Sequence, residues 1–296
     1  MIDNLLCISP IDGRYRNYTE QLNHYFSEFA LFKYRLLFEI GYFLHLKDIG
    51  LKELQNITNA DCLIIRSIYE SFTIEDCITI KNIEKKIKHD VKAVEYFIQK
   101  KFDILGLTQY KSFIHFALTS QDINNNSLTL SIKECVEDLI IPLLEIILQN
   151  LLDKSKLWEN ITMISRTHGQ PAVPTTLGKE IKVFHYRIQK QLELLKNITY
   201  YGKLGGASGN LNAHYAAYPD YKWDKLLGEF LESFSLKRNK YTTQIDNYEN
   251  LSVVFDNLKR INTIFIDMNK DIWHYISINY IVQKFDNNEV GSSTMP

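Results

Sequence analysis

Proline and glycine are both scarce, at six and twelve in 296 residues. So few backbone breakers leave room for long uninterrupted helices and exclude a collagen-like or proline-rich disordered chain. Cysteine is scarce too. Cys7, Cys62, Cys77 and Cys135 stand far apart; they fit neither a disulfide framework nor a zinc-ligand spacing and read as buried thiols of a cytosolic protein. No apolar run approaches the roughly 20 residues that span a bilayer. The opening Met1-Ile2-Asp3-Asn4 lacks the positive region and apolar stretch of a signal peptide, so a cytoplasmic location is expected. Net charge is also missing: 34 Lys and Arg nearly cancel 35 Asp and Glu. That balance gives no electrostatic footprint for nucleic acid or a membrane surface.

What is present is helical periodicity. Leu128, Ile132, Cys135, Leu139, Leu143 and Ile146 recur every three or four residues, forming one stripe on a long helix. Pro142 falls inside this stripe and is expected to kink the helix without ending it. A second stripe runs through Leu177, Ile181, Phe184, Ile188, Leu192 and Leu195, with Pro174 near its first turn. Residues 248–284 contain no Pro or Gly and read as a third long helix; residues 25–46 and 83–102 read as two more. Period-two runs are scarce. The expected fold is all-α: an N-terminal helical domain, residues 1–111, and a central bundle of long helices, residues 112–296. A chain of this length buries a large core.

Polar segments rich in Gly, Ser, Thr, Asn, Gln and His separate the helices. Thr119-Ser120-Gln121-Asp122 matches a capping box, and the same helix N-terminus with two hydroxyls suits a carboxylate or phosphate. His115 lies one turn upstream. Ser165-Arg166-Thr167-His168-Gly169-Gln170-Pro171 sets a histidine among hydroxyls ahead of a Gly-Gln-Pro turn, where an intrinsic pKa near ~6.5 suits proton transfer at neutral pH. Lys88-His89-Asp90 stands at or just before a helix; alone, His89 reads as structural or surface. Residues 202–214 hold four of the twelve glycines, without the spacing of a nucleotide-binding loop, and read as a loop with close backbone approach. Ser9-Pro10-Ile11-Asp12-Gly13-Arg14-Tyr15 is a plain turn or a guanidinium fork presented to a phosphate or carboxylate. His24, His45, His185 and His274 lie on expected helices and read as structural.

The last six residues, Gly291-Ser292-Ser293-Thr294-Met295-Pro296, combine a glycine with two serines and no apolar period. Amide N–H groups and a hydroxyl freed in this way can be aimed at one substrate atom. The segment reads as a catalytic loop cut in its middle, so a longer enzyme is expected.

Together these segments resemble the adenylosuccinate lyase family of the fumarase/aspartase superfamily, in its bacterial-type subgroup. The resemblance runs in family order through residues 9–15, 89–96, 115–125, 165–172, 241–245 (Tyr-Thr-Thr-Gln-Ile) and 291–296. It implies β-elimination of fumarate from adenylosuccinate, giving AMP, and from the succinyl-carboxamide ribotide of purine synthesis, with no metal or organic cofactor. It assigns Ser292 as base and His168 as acid. It gives Arg14, Tyr15 and His89 to substrate binding on the phosphate side, Asp90 to substrate binding, Thr119 and Ser120 to a succinyl carboxylate, and Gln244 to a further substrate contact. It implies a homotetramer with shared active sites, and a loop that continues beyond Pro296 to a lysine and an asparagine. Lys88 departs from the pattern, where relatives often carry asparagine.

Overall fold

The computed structural model describes residues 4–284, 286 and 288. Ser292 and the rest of the expected catalytic loop lie outside the described residues. Helices of ten residues or more are labelled α1 (Glu28–Asp48), α2 (Asn59–Glu70), α3 (Ile74–Ile87), α4 (Asp90–Ile104), α5 (Ser120–Cys135), α6 (Ile141–Leu157), α7 (Leu177–Lys196), α8 (Trp223–Glu232) and α9 (Glu249–Ser277). Among the described residues the architecture is all-α with two small sheets. The chain divides into two compact units: Met1–Ile140 with Thr199–Leu251, and Ile141–Ile198 with Ser252–Pro296.

The first unit is organised on α1. Its residues are buried nearly all round, including Phe32, Leu36, Phe38, Ile40, Tyr42, Phe43 and Leu46. A helix apolar on every side belongs inside a core, and α2, α3, α4 and α5 pack against it. Each fully buried Leu, Ile or Phe contributes roughly 1.5–3 kcal/mol. Helix α8 adds Trp223, Leu227, Phe230 and Leu231; the Phe230 ring lies edge-on to Tyr42 at 5.8 Å. Thr58 and Thr73 start α2 and α3 through capping boxes with Asp61 and Asp76.

The glycine loop is fixed to α5 by a buried ion pair. Lys203 Nζ lies 2.7 Å from Asp122 Oδ1, and both side chains are 0% exposed. Asp122 also accepts from the N–H groups of Gly205 and Gly206, each at 3.0 Å. Lys203 Nζ donates to the Gly206 carbonyl, and the Lys203 N–H to Asn125 Oδ1. The expected close approach is real: a Cβ on Gly202 would fall 2.1 Å from Asn126 Oδ1, and one on Gly209 1.9 Å from the Thr242 carbonyl oxygen.

In the second unit α6 packs against α7. Gly178 makes this contact close, since a Cβ there would meet the Ser155 carbonyl oxygen at 2.2 Å. Helix α9 is tied to α7 by Arg187–Asp267 at 2.7 Å and by Arg260 Nε donating to Gln191 Oε1 at 2.9 Å.

Three details differ from expectation, while helical structure continues through Pro142 as expected. The 83–102 helix is two helices, because Lys88 adopts a left-handed conformation (φ 58°) that ends α3 and His89 then caps α4. At Pro142 the accommodation is a π turn over Val136–Ile140, just before the ring that cannot donate to the carbonyl four residues back. The last long helix stops at Ser277 rather than near 284. Pro174 lies in a strand: Thr162–Thr167 (β1) pairs antiparallel with Gln170–Thr176 (β2). The hairpin is mostly exposed on both faces, so it carries no alternation of apolar residues.

Two stability predictions follow from the first unit. A left-handed lysine is strained where glycine is free, so Lys88→Gly should raise the urea-unfolding free energy by about 0.5 kcal/mol after its larger unfolded-state entropy is allowed for. His214 is buried against Trp223 and bonded through Nε2 to the Tyr42 hydroxyl at 3.0 Å. Burial lowers its pKa to about 4. The unfolded chain then takes up the proton first, so the contribution is complete above pH ~6.5 and is lost as pH falls toward 4, by about 2 kcal/mol at pH 5. Urea midpoints measured against pH should fall less steeply in His214→Gln than in the parent.

Candidate functional site

The opening turn forms from its own residues. Gly13 and Tyr15 N–H groups donate to the Ser9 and Pro10 carbonyls at 3.0 and 2.8 Å, and the Thr19 hydroxyl closes onto the Ile11 carbonyl. Arg14 lies over the Tyr15 ring at 5.7 Å. Both side chains are exposed, and the guanidinium makes no hydrogen bond or ion pair among the described residues. A stacked guanidinium keeps its N–H fork open for an anion.

His89 is placed by the break between α3 and α4. Its Nδ1 accepts the Lys92 N–H at 3.2 Å. The neutral ring then carries its proton on Nε2, and that nitrogen can donate to a bound ligand. Asp90 faces Arg35, whose Nη2 lies 2.5 Å from Oδ2. Burial works to raise the Asp90 pKa, but Arg35 and the Val91 N–H outweigh it and hold the carboxyl below its usual range. Arg35 Nε also donates to Asn124 Oδ1 at 2.9 Å, so one buried arginine ties the His89-Asp90 corner to α5.

Thr119 and Ser120 stand at the N-terminus of α5, both partly exposed. The Thr119 N–H donates to Asp122 Oδ2 at 2.9 Å, so the carboxylate held by Lys203 also fixes this corner. His115, four residues upstream, has φ 59°. Its Nδ1 lies 2.7 Å from Glu39 Oε1, and its Nε2 lies 3.9 Å from Glu95 Oε1. Burial alone would lower its pKa, but the two glutamates reverse the shift and raise it. Burial raises Glu39 as well, so the pair retains its proton above the pH at which a solvated histidine would lose it. Lys92 Nζ binds the other oxygen of Glu95 at 2.7 Å. The 89–96 and 115–125 segments are thus joined twice, by Arg35 and by this cluster.

Gln244 lies in an exposed loop. Its neighbours Thr242, Thr243 and Ile245 line a cavity of about 540 Å³ with Gly209, Asn210 and Asn239; Gln244 itself is not part of the lining. Asp246 anchors the loop by accepting from Asn239 Nδ2 and the Tyr248 N–H. The structure therefore connects His89 and Asp90 to the N-terminus of α5 indirectly, through Arg35 and the His115 cluster, and links the loop of Gln244 to the same helix through the glycine loop. Arg14 and Tyr15 share no hydrogen bond or ring contact with these residues among the described ones.

In the second unit, His168 and Gly169 form the two-residue turn between Thr167 and Gln170. Both have positive φ, at 52° and 76°, as a type I′ hairpin requires. Gln170 and Pro171 already belong to β2, so the expected Gly-Gln-Pro turn is in fact His-Gly. A histidine in this backbone region costs about 1–2 kcal/mol, and such strain gathers at functional positions. The ring is exposed and makes no hydrogen bond among the described residues. At the bulge between Ile164 and Arg166, the Ser165 hydroxyl donates to the Val173 carbonyl and accepts from the Val173 N–H.

Sequence reasoning missed Arg35, Asn124, Glu39, Glu95 and Lys203. Arg35 and Glu39 had a signal, because charges inside an otherwise apolar helix are buried only when paired. Among the described residues no group of three His, Cys, Asp or Glu side chains is disposed to hold a metal, and no helix is long and apolar enough to cross a membrane.

The chain is 48% identical to an adenylosuccinate lyase of Dictyostelium discoideum, 44% to one of Buchnera aphidicola from Schizaphis graminum, and 40% to one of Escherichia coli K12. Each alignment takes in 100% of this chain and 65% of the relative, so the chain spans just under two thirds of their length. Its fold matches a β-carboxy-cis,cis-muconate cycloisomerase from Acinetobacter calcoaceticus and a fumarate lyase from Mesorhizobium sp. BNC1. Each match has a TM-score of 0.68 and 16% identity, over 87% of this chain and 57% of the other. At that identity the likeness speaks for the fold alone. The profile of a family described as Lyase matches residues 13–296, and the chain belongs to this lyase family.

Proposed function

We propose that the protein is an adenylosuccinate lyase. It eliminates fumarate from adenylosuccinate to give AMP, and from the succinyl-carboxamide ribotide of purine biosynthesis. The observation that carries this reading is the likeness over the whole chain to relatives of that name, in a chain that keeps His168 on a strained, exposed turn. In the reaction, Ser292 removes a proton from the succinyl carbon beside a carboxylate. The carbon–nitrogen bond breaks, fumarate departs, and His168 returns a proton to the leaving nitrogen. The charge that develops on the carboxylate is met by the N-terminus of α5 with Thr119 and Ser120. His89 donates from Nε2 to the substrate, Asp90 holds that corner through Arg35, Arg14 and Tyr15 grip the phosphate side, and Gln244 completes the contacts.

The working form is a cytoplasmic homotetramer with active sites shared between subunits. Supporting this, Leu143, Ile146, Leu194, Phe255, Ile266 and Trp273 of the second unit are exposed, Trp273 by 72%, and a long bundle needs a partner to cover such residues.

His168→Gln should lower kcat for fumarate release by about 10²–10⁴-fold and change KM by only a few fold. A variant with parental kcat would remove His168 from the chemistry. Light scattering should give the mass of four chains, and Trp273→Asp should shift it toward smaller species with loss of activity. A fully active monomer would refute the shared site.

A further inference from the structure

We propose that Arg166 and Tyr280 are positioning residues, a clamp that holds the His168 turn in the orientation from which its imidazole reaches the leaving nitrogen. The proposal rests on the reading of His168 as the proton donor. The clamp is a continuous chain of contacts. The Tyr280 hydroxyl donates to the Ile164 carbonyl in β1 at 3.1 Å and accepts from Arg166 Nε at 3.3 Å. The guanidinium lies over the Tyr280 ring, 5.8 Å from its centroid. Its Nη1 donates to the carbonyl of Gly169, the residue after His168, at 3.1 Å. Tyrosine is needed for both hydroxyl bonds, and arginine for reaching two partners from one plane.

Tyr280 is itself fixed by how α9 ends. Asn279 takes up a left-handed conformation (φ 60°), which asparagine tolerates well. Its N–H returns to the Ile276 carbonyl at 3.1 Å, and the Tyr280 N–H to the Tyr275 carbonyl at 2.8 Å. These two bonds are a Schellman cap. Tyr280 also stacks on Tyr275, with centroids 6.2 Å apart. Below the hairpin lies a cavity of about 340 Å³ lined by Ser165, Arg166, Gly169, Glu180, Asp271 and Tyr275, among others. The turn is therefore held here by polar contacts rather than by close packing. In sequence, Tyr280 stands twelve residues before Ser292, so one residue secures the histidine and belongs to the segment leading to the serine.

The test uses the full protein with Tyr280→Phe and Arg166→Lys, which keep the ring and the charge. Each should lower kcat about ten- to hundredfold, as a misplaced donor does, with KM within about twofold. Amide exchange across residues 165–169 should rise while the remaining peptides stay at parental rates. The double variant should be no worse than the poorer single, because the contacts act as one chain. Parental kcat in Tyr280→Phe overturns the clamp, whatever the exchange shows. So does a loss of kcat accompanied by faster exchange throughout, which marks general destabilisation. Parental kcat in His168→Gln sinks the proton-donor reading instead.

Discussion

The first unit depends on a charge that has nowhere else to go. Asp122 and Lys203 are both sealed from solvent, and their pairing is complete only because Gly205, Gly206 and Thr119 lend N–H groups to the carboxylate. Removing one partner of such a pair strands the other and costs about 3–5 kcal/mol. The pair also dictates local sequence. Gly202 must admit Asn126, and Gly209 must admit the carbonyl of Thr242. The glycine loop is thus rigid structure, shaped by one ion pair and the backbone that surrounds it.

From that anchor the candidate site is assembled by largely buried side chains that never need to meet a ligand. Arg35 fixes Asp90 and Asn124 together, and His115 with its two glutamates joins α4 to the approach of α5. His89 gives one ring nitrogen to the helix cap and keeps the other for use. In this way polar groups on three helices are held in register without relying on loop stiffness.

The long helices were legible because their apolar residues recur at the right period, as at Ile181, Phe184 and Ile188, and because so few prolines interrupt them. The polar segments stood out as candidate sites because hydroxyls, glycines and histidines cluster there between the helices. Their construction was not legible. The hairpin of His168 has two wet faces and so no pattern to detect. The break at Lys88 depends on a left-handed lysine, which no propensity favours. Arg35 finds Asp90 from 55 residues away, and Lys203 finds Asp122 from 81; such pairs are set by tertiary packing rather than by spacing in the chain.

The turn at residue 168 carries a consequence for how this protein can drift. The backbone there suits asparagine better than histidine. A change to asparagine would relax the hairpin and discard the imidazole in one step. Selection for solubility or thermal tolerance alone would therefore act against the imidazole, so its presence on this turn runs counter to the best fold.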